Sequence, residues 1–229
     1  MSETQARIGH GFVLLLALAD TPETKVLIQE TRTATPPAEA DDQQEATHSQ
    51  SPNGYREFVP GLTDGGEASF EMNYIPGSHT DRFILSLRGK KLIAYLIWPN
   101  GVQCIFRCSR SGYEKEASTE EVGSATLTLK VSGEPTLTDP TAPLNLVAPV
   151  VKGVAKVGVP LEVDPGVWGG ALNIAYQWQA DGTDIPDATG ASFVPKPANV
   201  GDIITVEVTG SNDDFSFAAT SAGTTAVVA

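Results

Sequence analysis

The sequence predicts a mainly β protein with one short α-helix, organised as two domains. Three observations carry this reading. Glycine and proline number 22 and 16 among 229 residues, which suits a turn-rich β protein better than a helix bundle. Several segments alternate apolar and polar residues with the period of two of a half-buried strand. One segment alone has the spacing and caps of a helix. The chain is longer than the roughly 100–150 residues typical of a domain, so two ordinary domains fit its length. A stretch of two prolines among small polar residues, Thr138-Asp139-Pro140-Thr141-Ala142-Pro143, reads as the boundary. The expected organisation is a first domain over 1–138, a linker at 139–143 and a second domain over 144–229.

Along the chain, Phe12–Ala19 is an apolar run followed by Asp20. Ala17-Leu18-Ala19 mimics a leader cleavage site, but Glu3 offsets Arg7 in front of it, so the run is expected to be a buried strand. No apolar run approaches the roughly 20 residues that cross a bilayer as a helix. Between Thr33 and Gly66 lies a long polar stretch, with strand pieces expected at Val26–Thr33 and Gln44–Ser49. Glu67–Tyr74 alternates cleanly, with Ala68, Phe70, Met72 and Tyr74 on one face and Glu67, Ser69, Glu71 and Asn73 on the other. Ser78 as cap, Asp81 three residues on, the apolar set Phe83, Ile84 and Leu87, and Gly89 as stop predict a helix of about three turns. Leu92–Trp98 is almost wholly apolar and is expected to be buried on both faces or packed in an assembly. Pro99-Asn100-Gly101 turns it into a strand over Val102–Arg110. Ala125–Val131 alternates again. The second domain carries strand signals at Pro160–Val163, Ile174–Gln179, Phe193, Ile203–Thr209 and Phe215–Ala218, with a hairpin turn at Asp181-Gly182.

Cys104 and Cys108 lie four apart in one expected strand, with Cα atoms about 13 Å apart. A disulfide needs about 7 Å or less, so both read as small buried apolar side chains. The histidines are scattered, at 10, 48 and 79, and complete no zinc set. No P-loop, dinucleotide fingerprint, G-x-S-x-G or H-E-x-x-H sequence occurs. Asp41-Asp42 and Asp213-Asp214 read as solvated turns. The expectation is no enzyme, no cofactor and no metal.

Charge narrows the partners. Lys and Arg total 15 against 28 Asp and Glu, a net of −13, and both domains share the excess. A protein that grips phosphates needs the opposite balance.

The run Ser51-Pro52-Asn53-Gly54-Tyr55-Arg56-Glu57-Phe58-Val59-Pro60-Gly61-Leu62-Thr63-Asp64-Gly65-Gly66-Glu67 resembles a segment of the major tail tube proteins of lambda-like, long flexible-tailed bacteriophages (siphoviruses). The order downstream agrees: a strand, Pro76-Gly77, a short helix, a strand, Trp98-Pro99-Asn100-Gly101, another strand, and a last strand closing in Lys130-Val131-Ser132-Gly133-Glu134-Pro135. The likeness covers about residues 8–138. The second half resembles bacterial immunoglobulin-like (Ig-like) modules through Ala148-Pro149-Val150, Gly158, Trp168, Tyr176-Gln177-Trp178-Gln179, Gly182, Ile185, Ala188-Thr189 and Val200-Gly201-Asp202.

The resemblance implies a tail-tube β-sandwich or barrel with one helix, followed by an Ig-like β-sandwich that projects from the tube exterior. It implies a structural virion protein of the phage tail, assembled in the host cytoplasm. Homo-hexameric rings would stack into the conduit for DNA ejection, with a tape-measure protein and tail-end proteins as further partners. DNA would pass through the lumen without specific binding, and no membrane would be involved. Asn53, Gly54, Tyr55, Arg56, Glu57 and Phe58 are then the candidate ring-stacking loop. Glu67, Glu71, Glu114, Glu116 and Glu120 are the candidate lumen carboxylates, placed to repel phosphate. The alternatives are a tube subunit of a gene transfer particle or of a contractile or secretion-type machine, and a secreted Ig-like adhesin.

Overall fold

The computed structural model describes residues 11–117 and 122–229. The chain divides into two compact units. One comprises Leu14–Leu96 and Cys104–Leu137. The other comprises Thr138–Ala229 together with Ile97–Gln103 and Gly11–Val13.

The first unit is built on strands β1 (Val13–Leu18), β2 (Thr21–Ile28), β3 (Thr31–Thr35), β4 (Ala40–Glu45), β5 (Phe58–Asp64), β6 (Glu67–Asn73), β7 (Lys91–Ile97), β8 (Gln103–Glu116), β9 (Ser124–Val131) and β10 (Thr136–Leu137). Helix α1 (His79–Ser86) lies between β6 and β7. An eight-stranded sheet runs in the order β2-β1-β7-β8-β9-β6-β3, with β10 beside β8. Strands β4 and β5 pair only with each other.

The alternating segments behave as their pattern requires. Ala68, Phe70 and Met72 of β6 are buried, as are Ala125, Leu127, Leu129 and Val131 of β9. These two strands pair antiparallel, Phe70 opposite Leu127, so one face of the pair is apolar throughout. The Phe12–Ala19 run is a buried strand, with Leu14 and Leu16 fully enclosed. Strand β7 buries one face completely within the chain. Leu92, Ala94 and Leu96 are buried, while Ile93 and Tyr95 are half-buried on the other face. The Tyr95 ring is covered there by Lys25, whose Nζ sits 4.2 Å from its centroid.

Helix α1 starts where Ser78 accepts a bond from the Asp81 amide, 3.2 Å, as the cap spacing predicts. It has eight residues, not three turns. The Leu87 amide already bonds back to the Ile84 carbonyl, and Gly89 at φ 74° turns the chain away.

The second unit contains β11 (Leu144–Val147), β12 (Val150–Lys152), β13 (Leu161–Asp164), β14 (Val167–Gly169), β15 (Asn173–Ala180), β16 (Thr183–Asp184), β17 (Ser192–Phe193), β18 (Ile204–Ser211) and β19 (Ser216–Thr220). They form a four-stranded sheet β16-β15-β18-β19, a three-stranded sheet β12-β13-β17 and the pair β11-β14. Asp181 and Gly182 both adopt positive φ, 48° and 75°, and join β15 to β16 as the Asp-Gly signal predicts. Trp178 is wholly enclosed among Leu161, Phe193, Ile204, Val206 and Val208. Its ring stacks on Phe193 at 5.6 Å, and its Nε1 donates to the Gly190 carbonyl, 2.9 Å. This unit has no cysteine, so that tryptophan packs among its apolar neighbours with no disulfide beside it.

Ile97–Gln103 packs within this second unit. The Thr141 amide and hydroxyl both donate to the Gly101 carbonyl, at 3.1 and 3.0 Å. Asn212 Nδ2 donates to the carbonyls of Thr141, 2.8 Å, and Gly170, 3.1 Å. Gln103 bonds to both Thr138 and Thr141. The proline-rich stretch is therefore hydrogen-bonded along the 97–103 turn. Gly101 is the pivot. Its φ is 85°, and a Cβ there would lie 2.4 Å from the Thr141 oxygen.

Candidate assembly surfaces

The expected stacking residues Asn53–Phe58 lie at the end of a two-stranded arm made by β4 and β5. Its register pairs Ala40 with Asp64 and Glu45 with Phe58 across a bulge between Asp41 and Gln43. Every residue of both strands is exposed. This explains why the sequence reads as a polar loop: a ribbon that buries neither face needs no hydrophobic alternation. The shifted pieces, Ala40–Glu45 and Phe58–Asp64 in place of Gln44–Ser49, have the same cause.

The tip is a 3-10 turn at Pro52–Gly54. Tyr55 and Phe58 stand 76% and 52% exposed, and Leu62, farther down the arm, stands 87% exposed. Val59 and Leu62 add apolar surface that the loop reading did not include. The Asn53-Gly54 pair flanked by Phe58, Val59 and Leu62 was the available signal of a hairpin. Arg56 and Glu57 are already engaged within the arm. Arg56 Nη1 lies 3.6 Å from Glu45 Oε2. Glu57 accepts a bond from the Ser51 hydroxyl, 2.6 Å, and its carboxylate lies 3.5 Å from His48 Nε2.

Four of the five candidate carboxylates, Glu67, Glu71, Glu114 and Glu116, fall on one face of the sheet. On β6, Glu67 and Glu71 point opposite to the buried Phe70 and Met72. Strand β8 reaches that face through a bulge between Arg110 and Gly112. Beyond it, Tyr113 and Lys115 pair with the buried Leu127 and Ala125, so Glu114 and Glu116 project to the other side. Glu114, Thr126 and Glu71 form one cross-strand row, and Glu116, Ser124 and Asn73 form the next. With strands about 4.8 Å apart, Glu71 and Glu114 stand roughly 10 Å from each other. Thr126 and Thr128 separate the acids with neutral hydroxyls. The face is not purely acidic. Arg32 lies 3.8 Å from Glu71, and Lys130, opposite Glu67, is held by Asp64 at 2.8 Å. Glu120 lies outside the described residues.

The opposite face of β8 holds the helix. Lys115 Nζ contacts Asp81 Oδ1 at 3.0 Å, and the Tyr113 hydroxyl donates to the same oxygen at 3.2 Å. Burial pushes the Asp81 carboxyl up, but the Gly77 amide, Lys115 and Tyr113 together outweigh it and hold the group below its ordinary value. At the other helix end Arg110 Nη1 donates to the Ile84 carbonyl, 3.0 Å, as a second donor beside the Leu87 amide, and its charge lies at the helix C-terminus.

Cys104 and Cys108 are free and buried on that same face. Burial pushes the Cys108 thiol up to about 12 and raises Cys104 as well. Among the described residues no three His, Cys, Asp or Glu side chains are grouped to hold a metal ion. No helix there is long and apolar enough to cross a membrane.

The family model of the lambda phage tail tube protein matches residues 18–138, more than half of the chain. The chain belongs to the lambda phage tail tube protein family. This is a family of structural tail proteins, so the chain is a component of the virion tail and not an enzyme, as the sequence predicts. The family match ends at Thr138 and assigns nothing to residues 139–229. Among solved structures, a tail protein of an empty GTA particle, refined with C6 symmetry, is 16% identical with a TM-score of 0.49, over 58% of this chain and 100% of its own. The SPP1 tail tube protein is 14% identical with a TM-score of 0.45, over 57% of this chain and 77% of its own. A chain from the anti-feeding prophage baseplate is 11% identical with a TM-score of 0.46, over 59% of this chain and 97% of its own. No curated protein matches.

Proposed function

We propose that this tail tube protein assembles as six-membered rings that stack through the β4–β5 arm. The observation that carries the reading is the arm itself. An isolated two-stranded ribbon is marginal in water, yet this one exposes Tyr55, Phe58, Val59 and Leu62 and buries none of its strand residues. A neighbouring ring supplies the missing apolar cover. Burial of those side chains dominates the contact, since an exposed ion pair such as one made by Arg56 or Glu57 contributes at most about 1 kcal/mol.

In this reading Glu67, Glu71, Glu114 and Glu116 face the lumen, and their common sheet face supports it. A lumen lined mainly with carboxylates and hydroxyls, with Arg32 and Lys130 already engaged by Glu71 and Asp64, offers phosphates no free cation cluster to settle on, so the genome slides. The second unit is an Ig-like β-sandwich carried on the tube exterior; the enclosed Trp178 between its sheets supports that assignment. Trp168, buried with its Nε1 bonded to the Pro165 carbonyl, is part of that core and not a surface for ligands.

The deciding experiment removes Asn53–Phe58 and inspects the product by electron microscopy. A folded subunit that forms no stacked tube is expected. Tubes of normal length and ring spacing would overturn the stacking role.

A further inference from the structure

The tripeptide Pro-Asn-Gly occurs twice, at Pro52-Asn53-Gly54 and at Pro99-Asn100-Gly101. The same three residues sit in opposite surroundings. Asn53 and Gly54 are exposed at the arm tip, no heavy atom lies within 4 Å of where a Gly54 Cβ would be, and no hydrogen bond to a described residue engages the Asn53 carboxamide. Gly101 is buried. Its amide donates to the Trp98 carbonyl, 2.9 Å, and Asn100 Oδ1 accepts from the Val102 amide, 3.2 Å. Thr141 and Asn212 close around it.

We propose that Asn53 is a site of spontaneous covalent modification, deamidation through a cyclic imide, and that Asn100 is protected by its packing. The Gly54 backbone nitrogen gives up its proton and attacks Asn53 Cγ. The Cγ–Nδ2 bond breaks, and the side-chain nitrogen leaves as ammonia. Water then opens the five-membered imide at either carbonyl, giving aspartate or isoaspartate. The net change is water in and ammonia out, with no oxidation. Each event places a new negative charge at the arm tip, and isoaspartate also reroutes the backbone through the side-chain carbons.

The attack requires the Asn53 ψ, now 16°, to rotate until the glycine nitrogen meets Cγ. The exposed 3-10 turn at Pro52–Gly54 must open, and no heavy atom packed beside Gly54 opposes that rotation. At Asn100 two hydrogen bonds and the walls around Gly101 must give way first, which slows the reaction there by at least about tenfold. On the stacking reading of the arm, the modification adds charge where apolar contacts form, so the unassembled subunit has a limited competent lifetime.

The test is a time course of the full chain in warm neutral buffer, with peptide mapping by mass spectrometry and isoaspartate detection. The peptide holding Asn53 is expected to gain one dalton at least about tenfold faster than the peptide holding Asn100. In denaturant the two rates should converge, because the sequence at both sites is the same. The Asn53→Gln variant should remove the acidic species seen on isoelectric focusing of the aged native chain. Equal rates in the native chain, or rates that stay apart in denaturant, would overturn the proposal. Protection of Asn53 inside assembled tubes bears on the stacking reading separately. Its absence would count against stacking and leave the chemistry of the free chain standing.

Discussion

Lys115 Nζ lies 3.0 Å from Asp81 Oδ1, joining the long strand β8 to the first turn of the only α-helix among the described residues. The Asp81 side chain is 8% exposed and that of Lys115 is 28% exposed. Removing one partner of a largely buried pair leaves the other charge without compensation. Asp81→Ala is therefore expected to lower unfolding free energy by about 2 kcal/mol, less than for a fully buried pair because water reaches Lys115. Denaturant titration followed by far-UV circular dichroism measures it. A change near zero would show that the helix is held without the pair.

The same carboxylate sets a pH dependence. Its folded value lies below the ordinary one, so the unfolded chain takes up the proton first as acid is added. The contribution of Asp81 is complete above the ordinary carboxylate range and is lost as pH falls through the lower folded value. Melting temperature should drop below about pH 4, and Asp81→Asn should flatten that part of the profile while lying below the wild type at neutral pH.

The 97–103 turn responds to substitutions on either side of it. Gly101→Ala forces a Cβ to 2.4 Å from the Thr141 oxygen and 2.7 Å from Asn212 Nδ2, at a φ that disfavours alanine. The expected loss is about 2–3 kcal/mol. Asn212→Ala leaves the Thr141 and Gly170 carbonyls without their donor and should cost about 1–3 kcal/mol. Thermal unfolding monitored by tryptophan fluorescence reads both.

Replacing Tyr55 and Leu62 together by serine should leave subunit stability within about 0.5 kcal/mol, since neither side chain is buried. Tube formation should be lost. Calorimetry on the subunit and electron microscopy of the assembly separate the two effects.

Neither thiol should react with a water-soluble disulfide reagent in the native subunit. Both lie on the apolar side of β8 with protonation favoured by burial. Two thiols should appear on unfolding. Fast labelling of the native chain would mean that the sheet opens.

Legibility of the fold followed burial. Strands β6 and β9 are plain in the sequence because each has one dry and one wet face, and alternation records that asymmetry. The helix start is plain because Ser78 and Asp81 encode the cap locally. The arm strands are not, because no pattern distinguishes inside from outside where everything is solvent-exposed. Strand β8 extends to Glu116, beyond the expected Arg110, because past the bulge its pairing with β9 replaces intrinsic apolar character. The allegiance of Ile97–Gln103 to the second unit depends on Asn212 and Thr141, which lie tens of residues away and leave no trace in local composition. The candidate acids were legible as individual residues. Their alignment into rows depended on register, which a sequence does not print.

The bulge at Ser111 sets the phase of everything that follows it in β8. Counted in strict alternation from Cys104, Phe106 and Cys108, Glu114 and Glu116 would share the oily side, and Tyr113 and Lys115 would stand outside. One extra residue exchanges them. A single-codon insertion between Gly112 and Tyr113, with no second bulge to absorb it, would thus transpose two acids and two helix anchors without altering any of them, while many side-chain replacements on the exposed face would pass unnoticed. Within this strand, spacing is a heritable trait of its own, more tightly constrained than the identity of several residues it positions.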